Sequence, residues 1–245
     1  MSIKTRRGSL ACLATALVLA AALAGCANNG TGEALTKASP SPVIFPSEQT
    51  AVQATPTPIV LGPLFEAELD LWAGPVTVPL ELHIPSLEIF SVPVLGVGLT
   101  ADNKMDGPKG PIGDPIWSMA YWYRGGGNPG EPGTATIAAH VNDPLGRPEI
   151  FANLEDLRPG DLIIVRYTRL NINIRFIVDQ VKNYSVEEAS TPEMLRQIFG
   201  AGAVAGTGPQ TSPDGLSHLT LITCAGNIVN GAFDRAIIVY ATRSD

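Results

Sequence analysis

The chain is poor in cysteine and in basic side chains, and each shortage narrows what it can be. Three cysteines, Cys12, Cys26 and Cys224, stand in 245 residues, too few for the disulfide framework that staples many small secreted domains. Sixteen Lys and Arg face 23 Asp and Glu, a formal charge of −7. Without a cationic surplus there is no electrostatic footing for nucleic acid or for a polybasic membrane-binding surface. No internal repeat recurs along the chain.

A long apolar run is missing too. The uncharged stretch from Leu10 to Leu23 falls short of the ~20 residues that span a bilayer comfortably. It follows Lys4, Arg6 and Arg7 and leads into Leu23-Ala24-Gly25-Cys26, the layout of a secretory signal with a lipoprotein-type cleavage box. Residues 1–25 are therefore expected to leave as a signal peptide, taking Cys12 with them. Cys26 then becomes a lipidated N-terminus, with the membrane contacted through that lipid. The other reading is an uncleaved anchor, and both place the domain outside the cytoplasm. Cleavage removes three basic and no acidic residues, so the charge becomes 13 − 23 = −10. Cys224 is left as the one free thiol.

Residues 26–62 read as a linker. Ser39-Pro40-Ser41-Pro42 and Thr55-Pro56-Thr57-Pro58 deny it hydrogen-bonded structure and favour an extended spacer. Residues 63–74 form a lead-in, with a short helix or strand expected over Leu64 to Leu71. Residues 75–245 are long enough to bury one core.

That domain reads as mainly β, a closed or sandwich-like architecture with few helices. Leu80, Leu82 and Ile84 alternate with Glu81 and His83 until Pro85 stops the strand, which turns His83 outward. Further strands are expected at Phe90–Thr100, Ile116–Tyr123, Gly133–Ala139, Asp161–Thr168, Ile172–Val181, Leu219–Thr223 and Ala236–Thr242. Helices are expected at Pro148–Leu157 and from Ser190-Thr191-Pro192-Glu193 to Gly200, where a hydroxyl can cap and proline suits the first turn. The breaker-rich stretch Ala201–Ser217 reads as a mobile loop leading into the Cys224 strand.

Cys224 closes the apolar run Leu219-Thr220-Leu221-Ile222-Thr223. His140 closes Thr136-Ile137-Ala138-Ala139, and Arg235 opens Ala236–Tyr240. Taken singly, each has a plainer reading: a small core thiol, a satisfied surface imidazole, an arginine paired with Asp234. Together they supply a nucleophile, a proton donor and an oxyanion partner, the set that thiol catalysis requires.

At these residues the chain resembles the sortases, most closely their class F or class E groups. Leu82-His83-Ile84-Pro85-Ser86-Leu87 resembles the family's first strand. Met119 to Tyr123 with Pro129-Gly130 resembles its tryptophan strand and glycine loop, and Thr136-Ile137-Ala138-Ala139-His140 its histidine motif. Leu157-Arg158-Pro159-Gly160-Asp161 is similar to the Leu-x-Pro-Gly-Asp turn. Leu221-Ile222-Thr223-Cys224 matches Leu-x-Thr-Cys, and Phe233 to Ala241 is similar to the arginine strand. Ala139 and Ala225 stand where many class F members have glycine, which bears on subclass and groove shape.

The resemblance implies a closed eight-stranded sortase-type β-barrel and a cysteine transpeptidase. Its donors are secreted proteins that carry a C-terminal sorting signal of Leu-Pro-x-Thr-Gly type, cut between Thr and Gly. Cys224 would form a thioester, His140 would protonate the departing amine, and Arg235 would hold the substrate backbone or stabilise the oxyanion. The acceptor would be an amine of a cell-wall precursor or a pilin lysine. No metal or cofactor is implied. A cysteine endopeptidase that uses water, or a non-catalytic lipid-anchored β-domain, are the competing readings.

Overall fold

A computed structural model of the protein describes residues 70–101, 104–200 and 211–244. The expected signal, Cys26, the linker and residues 63–69 of the lead-in lie outside the described residues, as does 201–210 of the expected loop.

Eight strands close into one barrel: β1 (Val76–Ile84), β2 (Ile89–Val97), β3 (Ala120–Tyr123), β4 (Gly133–Ala139), β5 (Leu162–Tyr167), β6 (Ile172–Ser185), β7 (Ser217–Val229) and β8 (Ala232–Ser244). Around the barrel they run β1-β2-β3-β4-β7-β8-β6-β5. Two neighbouring pairs are parallel, β2 with β3 and β4 with β7. Parallel neighbours need a crossover, since no hairpin can join them. The segment after β2 makes the first crossing, and everything between His140 and Ser217 makes the second.

The alternation read in β1 is real. Val78, Leu80, Leu82 and Ile84 are buried in the barrel, while His83 is half-buried on the other face, where its Nδ1 accepts from the Ser91 backbone N–H at 3.2 Å. β8 has no such alternation because both its faces are covered. Ile237, Val239 and Ala241 point into the barrel core. Ala236, Ile238 and Tyr240 lie on the opposite face, packed with Ala189 and Ile198 from two helices, α1 (Val186–Ala189) and α2 (Pro192–Phe199). A strand buried on both faces reads as a continuous apolar run. Burying a side chain such as Ile238 is worth ~1.5–3 kcal/mol.

Three expectations need correction. Pro148–Leu157 is no α-helix: Asn142 and Pro148 form an isolated antiparallel bridge, and only Leu154–Asp156 turns as a 3-10 helix. Ile116–Tyr123 is not one strand. Pro115–Ser118 is a 3-10 turn capped by the Asp114 carboxylate, which accepts from the Ile116 N–H at 2.9 Å, and β3 starts only at Ala120. β7 does not stop at Thr223 but runs on through Cys224 to Val229, and β8 begins at Ala232 rather than Ala236. The two are joined through Asn230-Gly231, both at positive φ, the favoured chemistry of a tight hairpin.

Candidate active site

β4 and β7 run in the same direction, and their last paired residues are Ala138 and Ile222. His140 and Cys224 each lie two residues further on (140 − 138 and 224 − 222), so the parallel register delivers both to the same rim of the barrel. A buried hydrogen bond fixes the step between: Thr223 Oγ1 donates to the carbonyl of Ala139 at 2.9 Å. The neighbouring hairpin brings the third residue. Cys224 pairs with Ala236, Ala225 pairs with Arg235, and a bulge follows. Gly226 sits in that bulge at φ +78°, and the Asp234 carboxylate accepts from the Asn227 N–H at 2.7 Å.

His140, Cys224 and Arg235 therefore line one cavity of about 240 Å³, whose remaining wall is mostly apolar and includes Tyr121, Val186 and Phe199. All three sequence-derived site residues meet there. Cys224 is in mid-strand rather than at a strand end, held by pairing on the β8 side.

Aromatic rings grip the imidazole of His140. The Trp117 ring centre lies 4.6 Å away and that of Tyr121 5.4 Å, the latter edge-on. Trp117 is itself anchored by its Nε1–H, which donates to the Pro111 carbonyl at 3.0 Å. His140 Nε2 is 2.9 Å from the carbonyl oxygen of Pro108. A carbonyl only accepts, so Nε2 must carry the hydrogen there, which leaves Nδ1 to exchange protons. Tyr121 is no rival base. Burial, with help from Glu149, Asp114 and Asp106, holds its phenol far above the ordinary value, and its hydroxyl donates to the Ile116 carbonyl.

The thiol of Cys224 is open to solvent, yet the protein packed around it pushes its pKa up, and the positive charge of Lys109 partly offsets that. Arg235 does not stand free. Its Nε donates to Asn183 Oδ1, and Nη2 donates to the Asn183 backbone carbonyl at 2.9 Å. Pro108, Lys109 and Trp117 come from the crossover between β2 and β3, and Asn183 from the end of β6. Sequence reading singled out none of the four, because loop carbonyls and an exposed asparagine carry no periodic or motif signal.

The family model described as Sortase domain matches residues 82–244. The chain belongs to the sortase family. Among solved structures it is similar to sortase A from Corynebacterium diphtheriae, with 20% identity and a TM-score of 0.46, covering 71% of this chain and 62% of that one. It is also similar to sortase C-1 from Actinomyces oris, with 19% identity and a TM-score of 0.45 over 68% of this chain and 73% of that one. Sortase C1 of Streptococcus agalactiae gives 20% identity and 0.44 over 68% and 66%. No curated protein matches the chain. Sortases are cysteine transpeptidases, and this sortase has the family's closed barrel with two helices beside it.

Proposed function

We propose that this sortase cleaves a C-terminal sorting signal of Leu-Pro-x-Thr-Gly type between Thr and Gly and transfers the protein to an amine acceptor. What supports the reading is the meeting of a solvent-open thiol, an imidazole with one nitrogen already committed, and a guanidinium around a single, largely apolar cavity.

In the proposed cycle the Cys224 thiolate attacks the threonine carbonyl carbon and forms a C–S bond. The carbonyl electrons move onto oxygen, where Arg235 offsets the charge or holds the adjoining backbone. As the tetrahedral centre collapses, the C–N bond breaks and His140, as imidazolium, gives its proton to the departing glycine amine. A thioester remains. The incoming amine attacks it, neutral His140 takes a proton from that amine, and the thiolate leaves. The acceptor is an amine of a cell-wall precursor or a pilin lysine. The enzyme works outside the cytoplasm, attached through lipid on Cys26, and belongs with the class F or class E groups.

The test is a fluorogenic sorting peptide offered with and without a glycine-based amine, followed by mass measurement. Wild-type protein is expected to give the amide product and a transient adduct on Cys224, and Cys224→Ala to give neither. Hydrolysis alone at every amine concentration assigns the chain to the endopeptidases. No turnover and no alkylation of Cys224 under mild conditions overturns the covalent reading altogether.

A further inference from the structure

Ser185 is the residue that faces Arg235 across the β6–β8 ladder, and Asn183 stands two positions before it. Positions two apart share a face of a strand, so Asn183 and Arg235 are diagonal neighbours on one surface. The contact is specific. Two of the three guanidinium nitrogens donate to this one residue, Nε to the side-chain oxygen and Nη2 to the backbone carbonyl. A guanidinium held at Nε and at one Nη has its plane fixed. Nη1 has no protein partner among the described residues.

A competitor lies close by. The carboxylate of Glu188 feels the charge of Arg235, although hydrogen bonds from Ser185 do more to lower its pKa. Those bonds form a capping box at the start of α1: the Ser185 N–H and hydroxyl donate to Glu188 Oε2 at 2.7 and 2.9 Å, and the Glu188 N–H donates back to Ser185 Oγ at 3.1 Å. Among the described residues no ion pair joins Glu188 to Arg235. The carboxylate is turned to the helix start, and the guanidinium to Asn183.

We infer that Asn183 is a positioning residue of the transfer reaction, gripping the Nε edge of Arg235 so that Nη1 is presented to the carbonyl under attack in the Cys224 cavity. The inference rests on the transpeptidase reading for its purpose, but the grip itself does not depend on turnover. A half-buried arginine without such a grip still samples several rotamers, and ordering it at the moment of reaction would cost rate.

The experiment reads both parts on the full-length protein. In ¹⁵N-labelled wild type, Arg235 is expected to show a slowly exchanging Nε–H resonance, assigned by its disappearance in Arg235→Ala. Asn183→Ala loses that signal, whereas Asn183→Asp, which keeps an acceptor, retains it. A signal unchanged in Asn183→Ala overturns the grip. With the sorting peptide, Asn183→Ala is expected to lower kcat/KM about tenfold, mainly in kcat, and Asn183→Asp to recover most of the loss. In the Arg235→Ala background the same Asn183→Ala change should have no further effect. An equal loss in both backgrounds shows that Asn183 acts elsewhere and overturns the positioning role. If wild type gives the resonance but no turnover, the transpeptidase reading fails while the grip stands.

Discussion

Thr223 donates its hydroxyl hydrogen to the carbonyl of Ala139, so the residue just before Cys224 is bonded to the residue just before His140. The bond is buried and crosses 223 − 139 = 84 residues of sequence. It ties the backbones that carry Cys224 and His140 together from the buried side.

Replacing that hydroxyl by a methyl is therefore expected to cost more than a surface change of the same size. Thr223→Val leaves the Ala139 carbonyl buried without this donor, a penalty of ~1–3 kcal/mol, seen as a lower melting temperature. Transfer activity should fall further than stability does, whereas Thr223→Ser should retain most of both. Equal activity in Thr223→Val and wild type would remove the spacing role.

The pH profile of kcat/KM is expected to be bell-shaped, since the proposed cycle starts from a thiolate paired with an imidazolium. Burial raises the Cys224 thiol above its ordinary value, and Lys109 opposes that rise. The alkaline limb, where the thiol deprotonates, should accordingly lie above that of a free cysteine. Lys109→Ala removes the opposing charge, so the limb moves further up and less thiolate is present at neutral pH. Alkylation of Cys224 at pH ~7 should slow by less than about fivefold, the scale of an exposed charge interaction. High salt should produce the same change in the wild type and little in the variant.

Gly226 is expected to be irreplaceable. Its φ is +78°, and a Cβ there would come within 2.1 Å of the Asp234 carboxylate, the group that accepts from Asn227. Gly226→Ala must displace Asp234 or flatten the bulge, at a cost of roughly 1–3 kcal/mol in backbone strain alone. Since Arg235 follows Asp234 directly, activity should drop at least tenfold even where the protein still folds. Thermal melts and peptide turnover on the same sample separate the two effects.

Asp143 ties the loop that follows His140. Its side chain is 1% exposed and accepts from the N–H of Leu145 at 2.8 Å, the N–H of Arg147 at 2.9 Å and Arg147 Nε at 2.6 Å. Burial alone would raise its pKa, but those bonds and the Arg147 charge win and lower it. A carboxyl depressed on folding contributes stability above its unfolded pKa and loses it as pH falls through the folded one. Asp143→Asn should therefore melt below wild type at pH 7, and the gap should narrow at pH 3. A gap that stays constant with pH would show that the charge is not what holds the loop.

The sequence made β4, β7 and the catalytic candidates legible because a polar residue ends or interrupts a buried run at each. His140 after Thr136–Ala139 and Cys224 after Leu219–Thr223 stand out against their neighbours. The same apolar signal misled at Ile116–Tyr123, where Asp114 and Pro115 wind the first half into a turn so that Trp117 can reach His140. It misled again at 148–157, whose apolar spacing fits a helix while Phe151, Leu154 and Leu157 reach the core from a segment whose one regular turn is the 3-10 helix Leu154–Asp156. The four-residue α1 is too short for periodicity to register, although Ser185 and Glu188 have the spacing of its capping box. Asn183 could not have been found from sequence. Its contact with Arg235 exists only once β6 is laid against β8.

The two ways in which strands bring the site together have unequal timing. Arg235 lies 235 − 224 = 11 residues from Cys224, across a hairpin turned at Asn230-Gly231. His140 lies 224 − 140 = 84 residues away and arrives only when β4 is laid parallel to β7. Hairpins close in ~1–10 μs, whereas a long parallel closure must lose much chain entropy before it gains any contact. A chain with that hairpin formed and β4 not yet docked would hold Cys224 beside Arg235 but lack His140, the proton donor of the proposed cycle. On the proposed cycle, completion of the barrel is what arms the thiol, and the order of strands acts as its safety catch.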